Sequence, residues 1–249
     1  MRNTPNPPRP RRLPGARLAA VALAALAAAA LASAQPGAPA PWPAAGDLPP
    51  IVFVSRQAPG GADARQVPGM GPIVVTGASG GVGSIAVSIL AARGYEVIGV
   101  SGRTEHHAYL SELGASSVVT PDILALGARP LESVRFGGAI DNVGGDVLAG
   151  LTRHVELWGN IACVGMAASP ALETTVFPMI LRGVSLLGIS SANCPMPLRT
   201  AIWNRLGGDL KPTHLERIAS EDVPLQGVIA ACARVLDRQH VGRVLVRLG

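Results

Sequence analysis

The chain has 249 residues, 48% of them apolar and 15% charged, enough for one good-sized domain with a large core. Its formal charge of +5 is concentrated at one end: Arg2, Arg9, Arg11, Arg12 and Arg17 lie in the first 34 residues, which hold no acid, and the remaining 16 basic residues balance 16 acidic ones. No basic stripe is left to hold a nucleic-acid backbone, and three scattered cysteines (Cys163, Cys194, Cys232) without a C-x-x-C pair fit neither a disulfide framework nor a structural zinc site.

Residues 1–34 have the three parts of a secretory signal: an Arg-rich start, an apolar run over 18–31, and Ala32-Ser33-Ala34 as a small-residue cleavage site. The run is too short for a stable membrane span, which takes about 20 apolar residues. Residues 35–69 hold 8 prolines and 5 glycines, which remove backbone donors and raise the entropy cost of ordering. They read as an irregular arm in which only "IVFVS" (51–55) resembles a strand.

From residue 71 a period appears. "PIVVTG" is a β-branched, buried strand, and Val82, Ile85, Ala86, Ile89 and Leu90 then fall at helical spacing. "YEVIGVS" (95–101) is the next strand, followed by a helix around 105–113. "SSVVT", "GGAIDNV", "GNIACVG" and "VSLLGIS" supply further strands, with helices near 145–153 and 198–206. Strands alternating with helices predict an α/β fold, a doubly wound, Rossmann-like parallel sheet covered on both faces.

The turn "TGASGGVG" (76–83) joins the first strand to the first helix. Gly77, Gly80, Gly81 and Gly83 clear side chains from a place where the chain turns tightly, and a helix N-terminus there attracts phosphate. Set after a buried strand and before an amphipathic helix, the loop predicts a dinucleotide site. The cofactor type is read at the end of the second strand. An NAD site usually places Asp or Glu there for the ribose 2′-hydroxyl, whereas this chain has Ser101-Gly102-Arg103. A hydroxyl and a guanidinium suit a 2′-phosphate, so the charge pattern predicts NADPH.

The loop fits two dehydrogenase fingerprints. A short-chain enzyme needs a Tyr with a Lys four residues later, but Tyr95 and Tyr109 are followed at that spacing by Gly99 and Leu113, and the sole lysine is Lys211. That reading fails. "VVTGASGGVGSIAVSILAARGYEVIGVSGR", "YLSELGAS", "GGAIDNVGG", "ALETTVFPMILRGVSLLGI", "CPMP" and "GRVLV" resemble, in order, the cofactor half of the zinc-independent medium-chain dehydrogenase/reductases of the acryloyl-CoA reductase/quinone oxidoreductase group. The resemblance implies that Ser79, Gly80, Gly81 and Val82 hold the pyrophosphate and that Ser101, Gly102 and Arg103 hold the 2′-phosphate. It also implies that Asn142, Met166, Ile180, Ser191 and Arg243 line the rest of an NADPH groove.

The same resemblance implies a division into a cofactor domain over 70–211 and a return segment over 212–249. The β-rich substrate domain that precedes the cofactor domain in the family has no counterpart in this sequence. The resemblance therefore implies a cofactor site without implying turnover, and it names no catalytic residue. "VGRVLVRLG" reads as a strand without its expected partners, an open edge favouring a homo-oligomer. Three readings stay open: an NADPH-dependent reductase of a 2-enoyl-CoA or a quinone, a cofactor-binding module without catalysis, or a junction product in which Met70 begins the family-like stretch. The resemblance implies a cytoplasmic protein and the leader implies export. The remaining side chains take plainer expectations: His106 and His107 solvated without a third metal ligand, Trp158 and Trp203 packing, and Asp141 a turn aspartate.

Overall fold

The computed structural model describes residues 71–248; the leader, the arm and the "IVFVS" segment lie outside the described residues. Six strands form one sheet: β1 (Ile73–Thr76), β2 (Val97–Val100), β3 (Ser117–Val119), β4 (Phe136–Asp141), β5 (Val155–Cys163) and β6 (Ser185–Gly188). Their order is β3-β2-β1-β4-β5-β6 and every pairing is parallel. After β3 the chain crosses to β4 on the far side of β1, so β1 and β4 flank the point where the winding reverses. In such sheets a ligand binds there, beyond the carboxyl ends of the strands.

Helices cover both faces: α1 (Gly81–Ala92), α2 (His107–Glu112), α3 (Gly145–His154), α4 (Phe177–Arg182) and α5 (Met196–Gly207). The period-two rule shows on β1, where Ile73 and Val75 join one core with Ile85, Ile89 and Leu110, while Val74 joins another with Phe136, Leu151 and Ile161. The apolar stripe predicted on α1 is present, but Ser84, Val87 and Ser88 are buried as well. A helix buried nearly all round needs cover on its outer side, and Ile218 of the short helix α6 (Leu215–Ile218) joins the same core.

α6 opens the return segment, which continues through β7 (Glu221–Pro224), α7 (Val228–Leu236) and β8 (Val244–Arg247). The terminal strand predicted to lack partners finds one inside this segment: β8 pairs in parallel with β7, Glu221 opposite Val244 through Pro224 opposite Arg247. The signal missed was "EDVP", a strand too short and too polar to read from periodicity. Trp158 packs against Gly183, and Trp203 against the core on the α1 side. Among the described residues no helix is long and apolar enough to cross a membrane.

Candidate cofactor site

The ends of the central strands are level. Thr76 pairs with Val100, Asp141 with Cys163, and Cys163 with Gly188. The segments following them therefore open on one edge of the sheet, and nearly every residue assigned from the sequence falls there.

At the end of β1 the chain turns at Gly77, whose φ of 55° is a conformation that side chains disfavour. The Gly80 N–H donates to the Gly77 carbonyl at 3.1 Å, and the Ser84 N–H donates to the Gly80 carbonyl at 2.8 Å, starting α1. Gly83 sits tight on this turn: a Cβ there would come within 2.6 Å of the Ala78 Cα. α1 starts without a side-chain cap and without an acid in its first turn. Its first N–H groups are thus left to another acceptor.

The second strand ends beside this loop. The Ser101 and Ser79 hydroxyls are 3.4 Å apart, and the Arg103 N–H donates to the Ser101 hydroxyl at 3.3 Å. The Arg103 guanidinium is half-buried, its Nη2 3.5 Å from the Asp237 carbonyl.

The return segment closes over the same loop. The Gly242 N–H donates to the Ser79 carbonyl at 2.9 Å, and Gly80 and Gly242 form an isolated parallel bridge. The Arg243 side chain lies across Gly81, and burial lowers the pKa of its guanidinium. Further along, Arg238 donates to the Ala167 carbonyl at 2.5 Å, just past the end of β5. The connection between α7 and β8 thus reaches from the end of β2 to the end of β5.

The floor of the crevice is a polar knot between β1 and β4. Thr76 Oγ1 donates to Asp141 Oδ1 at 2.7 Å, and the Gly144 N–H donates to Asp141 Oδ2 at 2.8 Å. The Asn142 N–H donates to Thr76 Oγ1 at 2.9 Å, and the Asn142 Nδ2 to the Thr76 carbonyl at 2.7 Å. Asp141 is wholly buried; desolvation raises its pKa against the lowering effect of these bonds. Its carboxylate ties the end of β4 to β1 and to the start of α3, which is the structural part expected of it. Burial, with the Asp141 charge second, pushes the Cys163 thiol up to about 11.

The structure thus gathers Ser79, Gly80, Gly81, Val82, Ser101, Gly102, Arg103, Asn142 and Arg243 around one loop. Met166 stands nearby, its Cα close to Gly144, with its side chain 69% exposed. Ile180 and Ser191 are further along the edge: Ile180 is 73% exposed on α4, and the Ser191 carbonyl accepts from Arg199 of α5. His106 departs from expectation. It is buried, not solvated, because the turn Thr104–His106 folds it inward ahead of α2. Sequence reasoning also passed over Thr76, Asp237, Arg238 and His240; no spacing rule links the return segment to β2.

Comparison with known proteins agrees with this geometry. A family described as zinc-binding dehydrogenase matches residues 81–204. The acrylyl-CoA reductase AcuI of Ruegeria pomeroyi is 43% identical over 180 residues, 72% of this chain and 54% of its own length. Over this span the chain is similar to the cofactor-binding half of the zinc-independent medium-chain dehydrogenase/reductases of the acryloyl-CoA reductase/quinone oxidoreductase group. Two solved structures are similar over nearly all of this chain. YhfP of Bacillus subtilis, with NAD bound, superposes with a TM-score of 0.76 at 36% identity, over 92% of this chain and 61% of its own. YhdH of Escherichia coli K-12, with NADPH bound, gives 0.75 at 36%, over 93% and 62%. The chain thus spans little more than half the length of AcuI, and among the described residues no group of three His, Cys, Asp or Glu could hold a metal ion.

Proposed function

We propose that the crevice binds NADPH and that the protein is an NADPH-dependent oxidoreductase, reducing an activated C=C bond of a 2-enoyl thioester or a quinone. The observation that carries this reading is the meeting of three donor groups at one loop: the uncapped start of α1, the Ser101–Arg103 turn, and the Arg243 guanidinium across Gly81. Such a set of donors suits an anion with two phosphate groups near one another.

In this reading Ser79, Gly80, Gly81 and Val82 hold the pyrophosphate through backbone N–H groups. Ser101, Gly102 and Arg103 hold the adenosine 2′-phosphate. Asn142, Met166, Ile180, Ser191 and Arg243 line the rest of the groove. NADPH when bound supplies a hydride from its nicotinamide ring. The chain's own residues bind and orient. Asp141 has both oxygens bonded, and Cys163 holds its proton far above neutral pH, so neither is set up to donate one. The reading divides the protein into a cofactor domain over 70–211 and a return segment over 212–249. The alternative is a domain that binds NADPH without turnover of its own, which the want of a proton donor in Asp141 and Cys163 favours.

Fluorescence titration with NADPH and NADH tests the cofactor reading. Saturable binding that favours NADPH supports it, and folded protein that binds neither overturns it. NADPH oxidation with acryloyl-CoA or a quinone then separates the reductase from the binding domain.

A further inference from the structure

Two histidines, 134 positions apart in the chain, converge on the Ser101–Arg103 turn. His106 follows that turn directly, its N–H donating to the Arg103 carbonyl at 3.2 Å. It is 8% exposed, and its Nδ1 is buried without a hydrogen-bond partner. His240 lies in the connection between α7 and β8, which is held at one end by Arg103 on the Asp237 carbonyl and at the other by the Gly242 N–H on Ser79. Its Nδ1 is likewise buried and unpartnered. A buried imidazole nitrogen without a partner costs free energy that a ligand can return.

The charges around this pair are mostly of one sign. His240 is faced by Arg243, Arg103 and His106, with Glu221 the acid; His106 is faced by Arg103 and His107, with Glu105 the acid. Glu105 is exposed, and the Glu221 carboxylate is already bonded to Arg234. Two arginines and two titratable imidazoles thus crowd one spot. The arrangement is relieved by an anion among them.

We propose that His106 and His240 complete the pocket for the adenosine 2′-phosphate beside Ser101, Gly102 and Arg103, and that they make the preference for NADPH over NADH rise as the pH falls. The proposal rests on the cofactor reading above. Without ligand, burial holds both imidazoles below the usual histidine value, so they are mostly neutral near pH 7. A phosphate dianion beside them favours the protonated form. NADPH binding then takes up protons, and NADH, which lacks that phosphate, does not draw on them.

The test is calorimetric titration of the full chain with NADPH and NADH in two buffers of unequal ionisation heat, for wild type and for His106→Gln with His240→Gln. The phosphate titrates by itself near pH 6, so the comparison between proteins carries the result. Wild type should take up more protons with NADPH than the double variant does, with no such difference for NADH. The NADPH:NADH affinity ratio of the variant should fall on the order of ten-fold at about pH 6 and far less at about pH 8. Equal proton uptake and equal ratios in the two proteins, with NADPH still preferred, would overturn the role of the histidines and leave the cofactor reading standing. Folded wild type that binds neither dinucleotide would overturn both. Should the double variant not fold by circular dichroism, His240→Gln alone, in the half-buried connection, carries the same comparison.

Discussion

The guanidinium of Arg243 lies so close over Gly81 that a Cβ on the glycine would come within 2.5 Å of the arginine Cδ and Cζ. The two residues are 162 positions apart, and their contact ties the return segment to the first turn of α1. Because the clashing atoms belong to the far end of a flexible side chain, Gly81→Ala should fold and displace Arg243. We expect NADPH to bind about ten-fold more weakly, the scale of one charge-assisted hydrogen bond, with the urea midpoint nearly unchanged. A large loss of stability with intact binding in the folded fraction would contradict it.

Gly83 makes the opposite case two residues on. A Cβ there meets backbone, 2.6 Å from the Ala78 Cα, and backbone cannot swing aside. Gly83→Ala should therefore cost stability, about 2 kcal/mol or more, as expected of overpacking at a rigid site. Urea unfolding reads it directly, and an unchanged midpoint would show that the turn can open.

The contrast also shows what the sequence discloses. The loop, the alternation of strands and helices and the Ser101–Arg103 turn are local, set by periodicity and by residue types whose purpose is visible within a few positions. A doubly wound parallel sheet follows from that alternation, whereas the strand order is read from the structure. The placing of His240 beside Arg103 depends on how residues 137 positions apart pack, and the β7–β8 pairing joins strands 23 positions apart across a helix. Polar strands as short as "EDVP" carry no period to announce them.

The knot around Asp141 predicts a pH dependence. Burial raises its native pKa above the unfolded value near 4, so the folded state holds this proton more tightly. Its contribution to stability is therefore greatest at acid pH and is lost as pH rises from about 4 through the raised native value. Wild type should lose stability relative to Asp141→Asn across that window, with the difference level beyond it; urea midpoints at several pH values follow it. A difference that grows in the other direction would mean that the bonds from Thr76 and Gly144 outweigh desolvation. Asp141→Ala, which strands both donors, should cost about 2 kcal/mol or more.

The cysteines offer a chemical check on the strand ends. With its pKa near 11, the Cys163 thiol is ionised in roughly one molecule in a thousand at pH 8. Cys232 is exposed on α7. Brief alkylation with iodoacetamide, read by peptide mass spectrometry, should modify Cys232 well ahead of Cys163. Equal rates would show that the end of β5 opens to solvent more than its burial allows.

Arg103 carries the sharpest consequence for the cofactor. Among the described residues its guanidinium has one hydrogen-bond partner, the Asp237 carbonyl at 3.5 Å, weak enough that it can turn to a ligand at little cost. The end of β2 offers no carboxylate: Ser101 is buried beside Ser79, and Glu105 is exposed. YhfP is solved with NAD and YhdH with NADPH, two similar folds holding different dinucleotides. In the proposed reading the side chain at position 103 is the main contributor to the preference. Arg103→Ala should raise the Kd for NADPH on the order of 10- to 100-fold, the range for charged hydrogen bonds, and leave the Kd for NADH nearly unchanged. If both Kd values rise together, Arg103 supports the loop as a whole, and the preference must be sought among the other groups at the mouth of the crevice.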